Sequence, residues 1–414
     1  MTGTSPHDPR NRGFRSRSTV EDVHAIVDAR VSIVTGTEDV PLSEAFGRIL
    51  ANAVAAEHNV PPFDRAAMDG FALRGEETFG ADGYAPAAFR IVGRSRPGQP
   101  YEGQVGPGEA VAIATGAPMP DGADAVAKFE STRRIGELIE VVEPTAPRRH
   151  VGFAGEDIAS GRTVFEANRV IRPQDLGLLS ALGFATIPVV RQPRVAILLT
   201  GDELLPAGSR PERYRIADMN GPMLSSLVVR DGGIARLIGP IADDPDTLLR
   251  LLKEAVASSD FVIVSGGSST GPEDHSPSIL RDLGELPIHG VAIRPSSPTG
   301  LGFVGAVPVL LAPGNPVSCL CAYDLFGGRI VRRLGGRQSA WAYGSQDSPL
   351  AEKLVSALGR VDYARVRVVG GEVVPIATSG ASILSSTTKA DGFVLVPASV
   401  EGYAKGEMVR VWLY

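Results

Sequence analysis

Apolar positions follow two different rhythms along the chain, and the changes between them divide it into regions. Val20, Val23, Val27, Val31 and Val34 recur at helical spacing behind Ser18 and Thr19, and Asp22 is placed to complement the positive end of a helix. A second, short helix is expected over 43–50. From about residue 56 to 159 the texture becomes β-like. Short apolar runs at 89–92, 110–114, 125–129 and 138–142, separated by Gly, Pro and Asp, predict a small all-β domain. A helix returns over 172–182, with Pro173 in its first turn and Gly183 at its stop.

Between about 191 and 335, strand-like runs (195–199, 235–238, 261–264, 290–293, 307–311) alternate with helical ones. The helical runs include 223–229 and 246–257, the latter opened by Asp244-Pro245. This alternation predicts a mostly parallel, doubly wound sheet covered on both faces. Runs at 364–369, 373–376, 392–396 and 408–413 predict a further small barrel or sheet. The expected organisation is multidomain α/β plus all-β. It comprises a mobile tail over 1–18, a helical linker domain over 19–55 and 160–190, and an inserted β domain over 56–159. An α/β domain over 191–335 and a C-terminal β-barrel-like domain over 342–414 complete it.

Composition narrows the class. At 414 residues the chain exceeds a single hydrophobic core, and 43% apolar with 21% charged residues is a soluble globular balance. No apolar run approaches the roughly 18–20 residues that cross a bilayer. The N-terminus is polar and carries Arg10, Arg12, Arg15 and Arg17, which does not match a secretory signal. Cys319 and Cys321 are the only cysteines and imply idle thiols rather than a disulfide framework. The formal net charge of −6 gives no sign of nucleic-acid binding. A cytoplasmic protein is expected.

In a doubly wound domain, ligands sit outside the carboxyl ends of the parallel strands. Three segments would converge there: Thr200-Gly201-Asp202-Glu203-Leu204, Ser265-Gly266-Gly267-Ser268-Ser269 through Asp274, and Pro313-Gly314-Asn315-Pro316-Val317-Ser318. Glycines let amides approach an anion, hydroxyls add donors, and a helix opening at Pro316 would add its positive end. Glu203, Asp243 and Asp274 are hard oxygen donors suited to Mg²⁺. The same loops also serve as plain turns, and Asp202, Glu203 and Asp243 as plain caps.

Together with Pro62-Phe63-Asp64, Ala67-Met68-Asp69-Gly70-Phe71-Ala72, Thr115-Gly116-Ala117-Pro118-Met119-Pro120 and Gly155-Glu156-Asp157-Ile158, these segments resemble the MoeA family, relatives of the gephyrin E domain. The resemblance spans about residues 20–410. It implies a MogA-like α/β domain, an inserted β domain, a helical linker domain and a C-terminal β domain. It further implies an elongated homodimer with each active site shared between subunits. The implied reaction joins molybdate to adenylylated molybdopterin with Mg²⁺ assistance and release of AMP. Asp69, Thr115, Glu203, Asp243 and Asp274 match the catalytic positions, with Glu203, Asp243 and Asp274 also the metal candidates. Ser265, Gly266, Gly267, Ser269, Arg294, Pro313, Gly314, Asn315, Pro316 and Ser318 match substrate-binding positions, and Asp157, Arg360 and Ser382 are further candidates. Molybdoenzymes or other cofactor-biosynthesis proteins are the partners implied.

One segment departs from the family pattern. Where the family usually has Lys-Pro-Gly-Lys-Pro and often a lysine upstream, this chain has Arg294-Pro295-Ser296-Ser297-Pro298, with Gly290 at the upstream position. Ala66 replaces a usual hydroxyl, and Gly152, Phe153 and Ala154 stand where arginines are usual, with Arg148 and Arg149 displaced upstream. A unit charge about 4 Å from an anion contributes about 4 kcal/mol at an effective dielectric near 20, so two absent ammonium groups matter. Arginine is a planar fork and no direct substitute for lysine. These losses raise the alternative of a non-catalytic protein that binds and delivers the pterin or the finished cofactor.

Overall fold

A computed structural model describes residues 16–34, 36–269, 271, 274–337 and 341–414. The chain forms two compact units. One consists of Pro188–Tyr414 with the N-terminal segment up to Glu38 and Gly47–Ile49; the other consists of Asp39–Phe46 and Leu50–Ile187.

The first unit is organised by a six-stranded sheet in the order Ile234–Ile241, Arg194–Thr200, Phe261–Ser265, Val307–Ala312, Gly300–Val304, Glu285–His289. The first four strands are parallel, and the Gly300–Val304 strand is antiparallel to both its neighbours. Leu199, Ser265 and Ala312 stand in one register row, so the loops after these strands leave from the same edge. His289 pairs with Gly300 and Gly300 with Leu311, which brings the loop over 290–299 to that edge too. Continuous apolar strands such as Phe-Val-Ile-Val are required here, because helices cover both faces.

The helix Val20–Arg30 starts as expected. Thr19 and Asp22 exchange hydrogen bonds as a capping box, and Val20, Val23, Val27 and Val31 enter the core of the α/β region. The described end of the expected mobile tail is tied down: Ser18 donates to the Gly290 carbonyl at 3.0 Å and accepts from the Ala292 amide at 2.8 Å. The rest of that tail, through residue 15, lies outside the described residues.

Two local expectations fail. Residues 43–50 form no α-helix but a single 3₁₀ turn at Leu42–Glu44, with Gly47 at φ +72°. The run over 290–293 is not a strand of the α/β sheet. That place is taken by Glu285–His289, while Ile293–Arg294 pairs with Val361–Asp362 in the C-terminal sheet.

The C-terminal sheet runs Ile293–Arg294, Val361–Val369, Gly392–Val396, Met408–Leu413, Gly344–Pro349, with Glu372–Ala377 also paired to Val361–Val369. It curls back on itself where Leu350 bridges Val373, and it encloses an aliphatic core that includes Val366, Val394 and Val411, which gives the barrel-like form. A buried polar cluster joins it to the α/β helices. Asp324 accepts from the hydroxyls of Tyr343 and Tyr363, each at 2.9 Å, and lies 3.5 Å from Arg230, which also pairs with Asp231.

The second unit contains a six-stranded sheet in the order Ala125–Lys128, Gly70–Leu73, Glu109–Ile113, Ala87–Ser95, Leu138–Val141, Thr132–Ile135. Its core holds Phe71, Phe89, Ile139 and Val141. The helix Pro173–Ala181 also belongs to this unit, with Asp175 accepting from Arg169 and Arg172.

Candidate functional site

Three contiguous cavities open at the carboxyl edge of the α/β sheet. The central one, about 250 Å³, is lined by Glu203, Asp218, Asn220, Asp243, the Ser265–Ser269 loop, Asp274, Pro298, Pro313, Gly314 and Asn315. The second, about 340 Å³, shares Glu203, Asp218, Asn220, Gly314 and Asn315 with it and adds Pro316 and Ser382. The third, about 260 Å³, shares Pro298, Pro313 and Asn315 with the central cavity and contains Arg294, Ser296, Ser297, Ser318 and Arg360.

Charge is segregated among them. Carboxylates line the central cavity, whereas the arginines line the third. Asp202 and Asp243 bracket each other: the Asp243 amide donates to Asp202 Oδ1 at 3.1 Å, and the Asp202 amide donates to Asp243 Oδ2 at 3.4 Å. Burial, together with the negative charges of Asp202 and Glu203, pushes the Asp243 carboxyl above its usual range. Asp274 is fixed by the Gly271 amide, which donates to it at 2.7 Å.

The glycine-rich loop is shaped by close contact. At Gly266, φ is +105°, and a Cβ there would lie 2.3 Å from the Thr200 carbonyl oxygen and 2.7 Å from its Oγ1. Glycine is therefore required. The hydroxyls of Thr200 and Ser276 and the Asn220 Oδ1 are buried without a partner. Such orphaned groups carry a desolvation cost that a bound ligand can relieve.

The expected positive helix end is already engaged. The Val317 and Ser318 amides donate to the Ala381 carbonyl at 2.9 and 3.4 Å, so this terminus does not offer both of its first amides to an anion. The Ser379–Ser386 segment that supplies the carbonyl is itself clamped by Arg365. This guanidinium is fully buried and donates to the Ser379 carbonyl and to Ser386 Oγ. Arg294 is also engaged, forming a bidentate pair with the buried carboxylate of Asp362, which additionally accepts from Ser356 at 2.8 Å. Ser265 gives its oxygen to Asn220 Nδ2 at 2.9 Å, while Cys319 lies beneath it, its thiol pushed up to about 12 by burial.

In the second unit, Asp69 Oδ1 accepts from both the amide and the hydroxyl of Thr115, at 2.7 and 3.1 Å. Asp157 lies on another loop of this unit, where its own amide donates to the Val60 carbonyl at 3.1 Å.

Comparison with known proteins agrees with this architecture. Family descriptions match in chain order: the MoeA N-terminal region (domain I and II) over 18–183, a probable molybdopterin binding domain over 196–333, and the MoeA C-terminal region (domain IV) over 347–414. Molybdopterin molybdenumtransferase of Staphylococcus aureus (strain MSSA476) is 30% identical, over 95% of this chain and 94% of its own. The Bacillus subtilis protein of the same name is 30% identical, over 91% of this chain and 90% of its own. Two crystal structures of the MoeA protein from Pyrococcus horikoshii superpose with TM-scores of 0.84 and 0.83 at 34% and 31% identity. They cover 96% of this chain and 99% and 100% of theirs. The chain belongs to the MoeA family.

Within this MoeA-family site, sequence reasoning missed Asp218 and Asn220. Asp218 accepts from the amides of Asn220 and Gly221, at 2.9 and 3.0 Å, and so opens the helix Asn220–Arg230. Asn220 Nδ2 then ties Ser265 to the Gly314 carbonyl, joining two of the ligand loops. The available signal was the Asp-x-Asn ahead of an apolar helical run. Of the predicted residues, Glu203, Asp243, Asp274, Ser265, Gly266, Gly267, Ser269, Pro313, Gly314 and Asn315 share the central cavity. Arg294, Ser318 and Arg360 line the third cavity, and Pro316 and Ser382 line the second.

Proposed function

We propose that this MoeA-family protein is a molybdopterin molybdenumtransferase, which loads molybdate onto the dithiolene of adenylylated molybdopterin and releases AMP. The observation that carries this reading is the junction of an acidic, hydroxyl-lined cavity with an arginine-bearing one across Pro298, Pro313 and Asn315. The first suits a phosphate chain held with a cation, and the second suits an oxyanion.

Mg²⁺ fits the central cavity. Its carboxylates are hard oxygen donors, and Asp243, whose carboxyl is held above its usual range by burial first and then by the charges of Asp202 and Glu203, faces it beside Glu203 and Asp274. Among the described residues no three acidic, histidine or cysteine side chains form a ready-made metal cluster, so phosphate oxygens and water would complete the shell. Glu203, Asp243 and Asp274 would hold the ion. When bound, it would neutralise charge on the phosphate leaving group. Thr200 and the Gly266–Ser269 loop would orient the phosphates, and Arg360 would hold the oxyanion beside them. In this reading the protein acts in the cytoplasm as a homodimer, and Asp69 and Thr115 of one subunit complete the site of the other.

The test supplies purified protein with adenylylated molybdopterin, molybdate and Mg²⁺, then measures AMP release and reconstitution of a cofactor-free molybdoenzyme. Turnover that Asp274→Ala abolishes supports the assignment. Tight pterin binding without AMP release would refute it in favour of a delivery protein.

A further inference from the structure

The glycine-rich loop is steered from behind. We propose that His289 is a positioning residue that aims a backbone amide of this loop at the ligand's phosphate chain, an assignment that rests on the functional reading above. Its imidazole bridges two partners. Arg281, in the helix Ser276–Leu283, brings its Nη2 to 3.1 Å from Nδ1, and Nε2 lies 3.1 Å from the Ser268 carbonyl oxygen. A guanidinium can only donate and a carbonyl can only accept. Both contacts are therefore hydrogen bonds in one state alone, the neutral imidazole with Nδ1 as acceptor and the proton on Nε2.

The bond to Ser268 matters because of what precedes it. Gly266 and Gly267 both hold positive φ, +105° and +53°, and glycine backbone reorients at little steric cost. The peptide planes of such a loop need ties from outside. The Gly266 amide has one, to the Ala312 carbonyl at 3.2 Å, and the Ser268 carbonyl has its own in His289. In a trans peptide the carbonyl and the following N–H share a plane and point in opposite directions. Holding the Ser268 carbonyl toward His289 thus turns the Ser269 N–H the other way, toward the central cavity that Ser268 and Ser269 line and His289 does not. A reversed peptide would present a carbonyl oxygen to the phosphate, replacing an attraction by a repulsion. The edge strand Glu285–His289 places the imidazole for this task. Its pairing with Gly300 sets His289 at the strand's end, on the edge from which the ligand loops leave.

The test uses the full chain. Calorimetric titration with pyrophosphate in the presence of Mg²⁺ reads the phosphate site, and nitrogen NMR of the imidazoles reads the tautomer. His289→Phe keeps a ring but loses the donor, and is expected to weaken pyrophosphate binding about tenfold. His289→Gln puts an amide donor where Nε2 stood, and is expected to bind within about threefold of wild type. In the wild-type spectrum, the signal that both variants lose is expected to show a protonated Nε2 and a bare Nδ1 at neutral pH. Pyrophosphate binding that His289→Phe leaves unchanged, a His289→Gln variant as weak as His289→Phe, or a proton on Nδ1 overturns the assignment and spares the functional reading. A wild-type chain that binds no pyrophosphate overturns both.

Discussion

Replacing Arg294 with glutamine leaves the Asp362 carboxylate, which is fully buried, facing a neutral amide. At about 4 Å and an effective dielectric near 20, the lost attraction is about 4 kcal/mol. Breaking a buried pair by removing one partner costs about 3–5 kcal/mol. Arg294 retains some solvent contact, and Ser356 still donates to Asp362, so the lower end, about 3 kcal/mol, is expected. Asp362→Asn frees a guanidinium that can reach water and should cost only about 1–2 kcal/mol. The double variant should fall short of the sum by about 2 kcal/mol, the coupling of the pair. Urea unfolding followed by tryptophan fluorescence reads this region directly. Trp341 and Trp412, the only two tryptophans, stack at 5.2 Å, with Trp412 in the C-terminal sheet and Trp341 also against Phe393. The reasoning fails if Arg294→Gln costs under about 1 kcal/mol while molybdate affinity falls more than about tenfold. That result would assign the Arg294 charge to the ligand.

Three further outcomes are expected. Burial pushes the Asp324 carboxyl up to about 6, so the folded state binds a proton more tightly than the unfolded state. Its contribution to stability is full below about pH 4 and lost as pH rises through about 6; Asp324→Asn should flatten this part of a stability–pH curve by up to about 3 kcal/mol. Gly266→Ala forces a methyl against the Thr200 carbonyl and should lower stability by about 2 kcal/mol, with AMP release falling more than about tenfold. Mixing inactive Asp69→Ala and Asp274→Ala subunits should restore turnover in hybrid dimers, because one of their two shared sites would keep both residues; no recovery in verified hybrids would rule out sharing.

The elements that sequence revealed best are those buried on both faces. Phe261–Ser265 and Val307–Ala312 are uninterrupted apolar runs, and their ligand loops follow directly. Glu285–His289 was missed because it is an edge strand with only Ile288 buried, while the apolar run just after it belongs to another sheet. The helix expected over 43–50 had suitable spacing but too little length for packing to sustain it. Glu203, Asp243 and Asp274 could be placed at one edge from topology alone. Engagement of Arg294 by Asp362, and of the helix amides by Ala381, could not be foreseen, because each partner lies more than 60 residues away. Asp218 and Asn220 carried a signal, but one that reads equally well as ordinary helix capping.

The parallel pairing of Ile293–Arg294 with Val361–Asp362 makes the C-terminal sheet a poor candidate for modular exchange. A chimera joined near residue 342 would replace the strand against which Arg294 is registered and remove the carbonyl that occupies the first amides of the Pro316 helix. Ala381, and Arg360 immediately before that strand, line the third ligand cavity. Swapping this sheet between family members would therefore transplant ligand preference together with the fold, and a graft that left the donor's 290–298 segment behind would carry a mismatched seam.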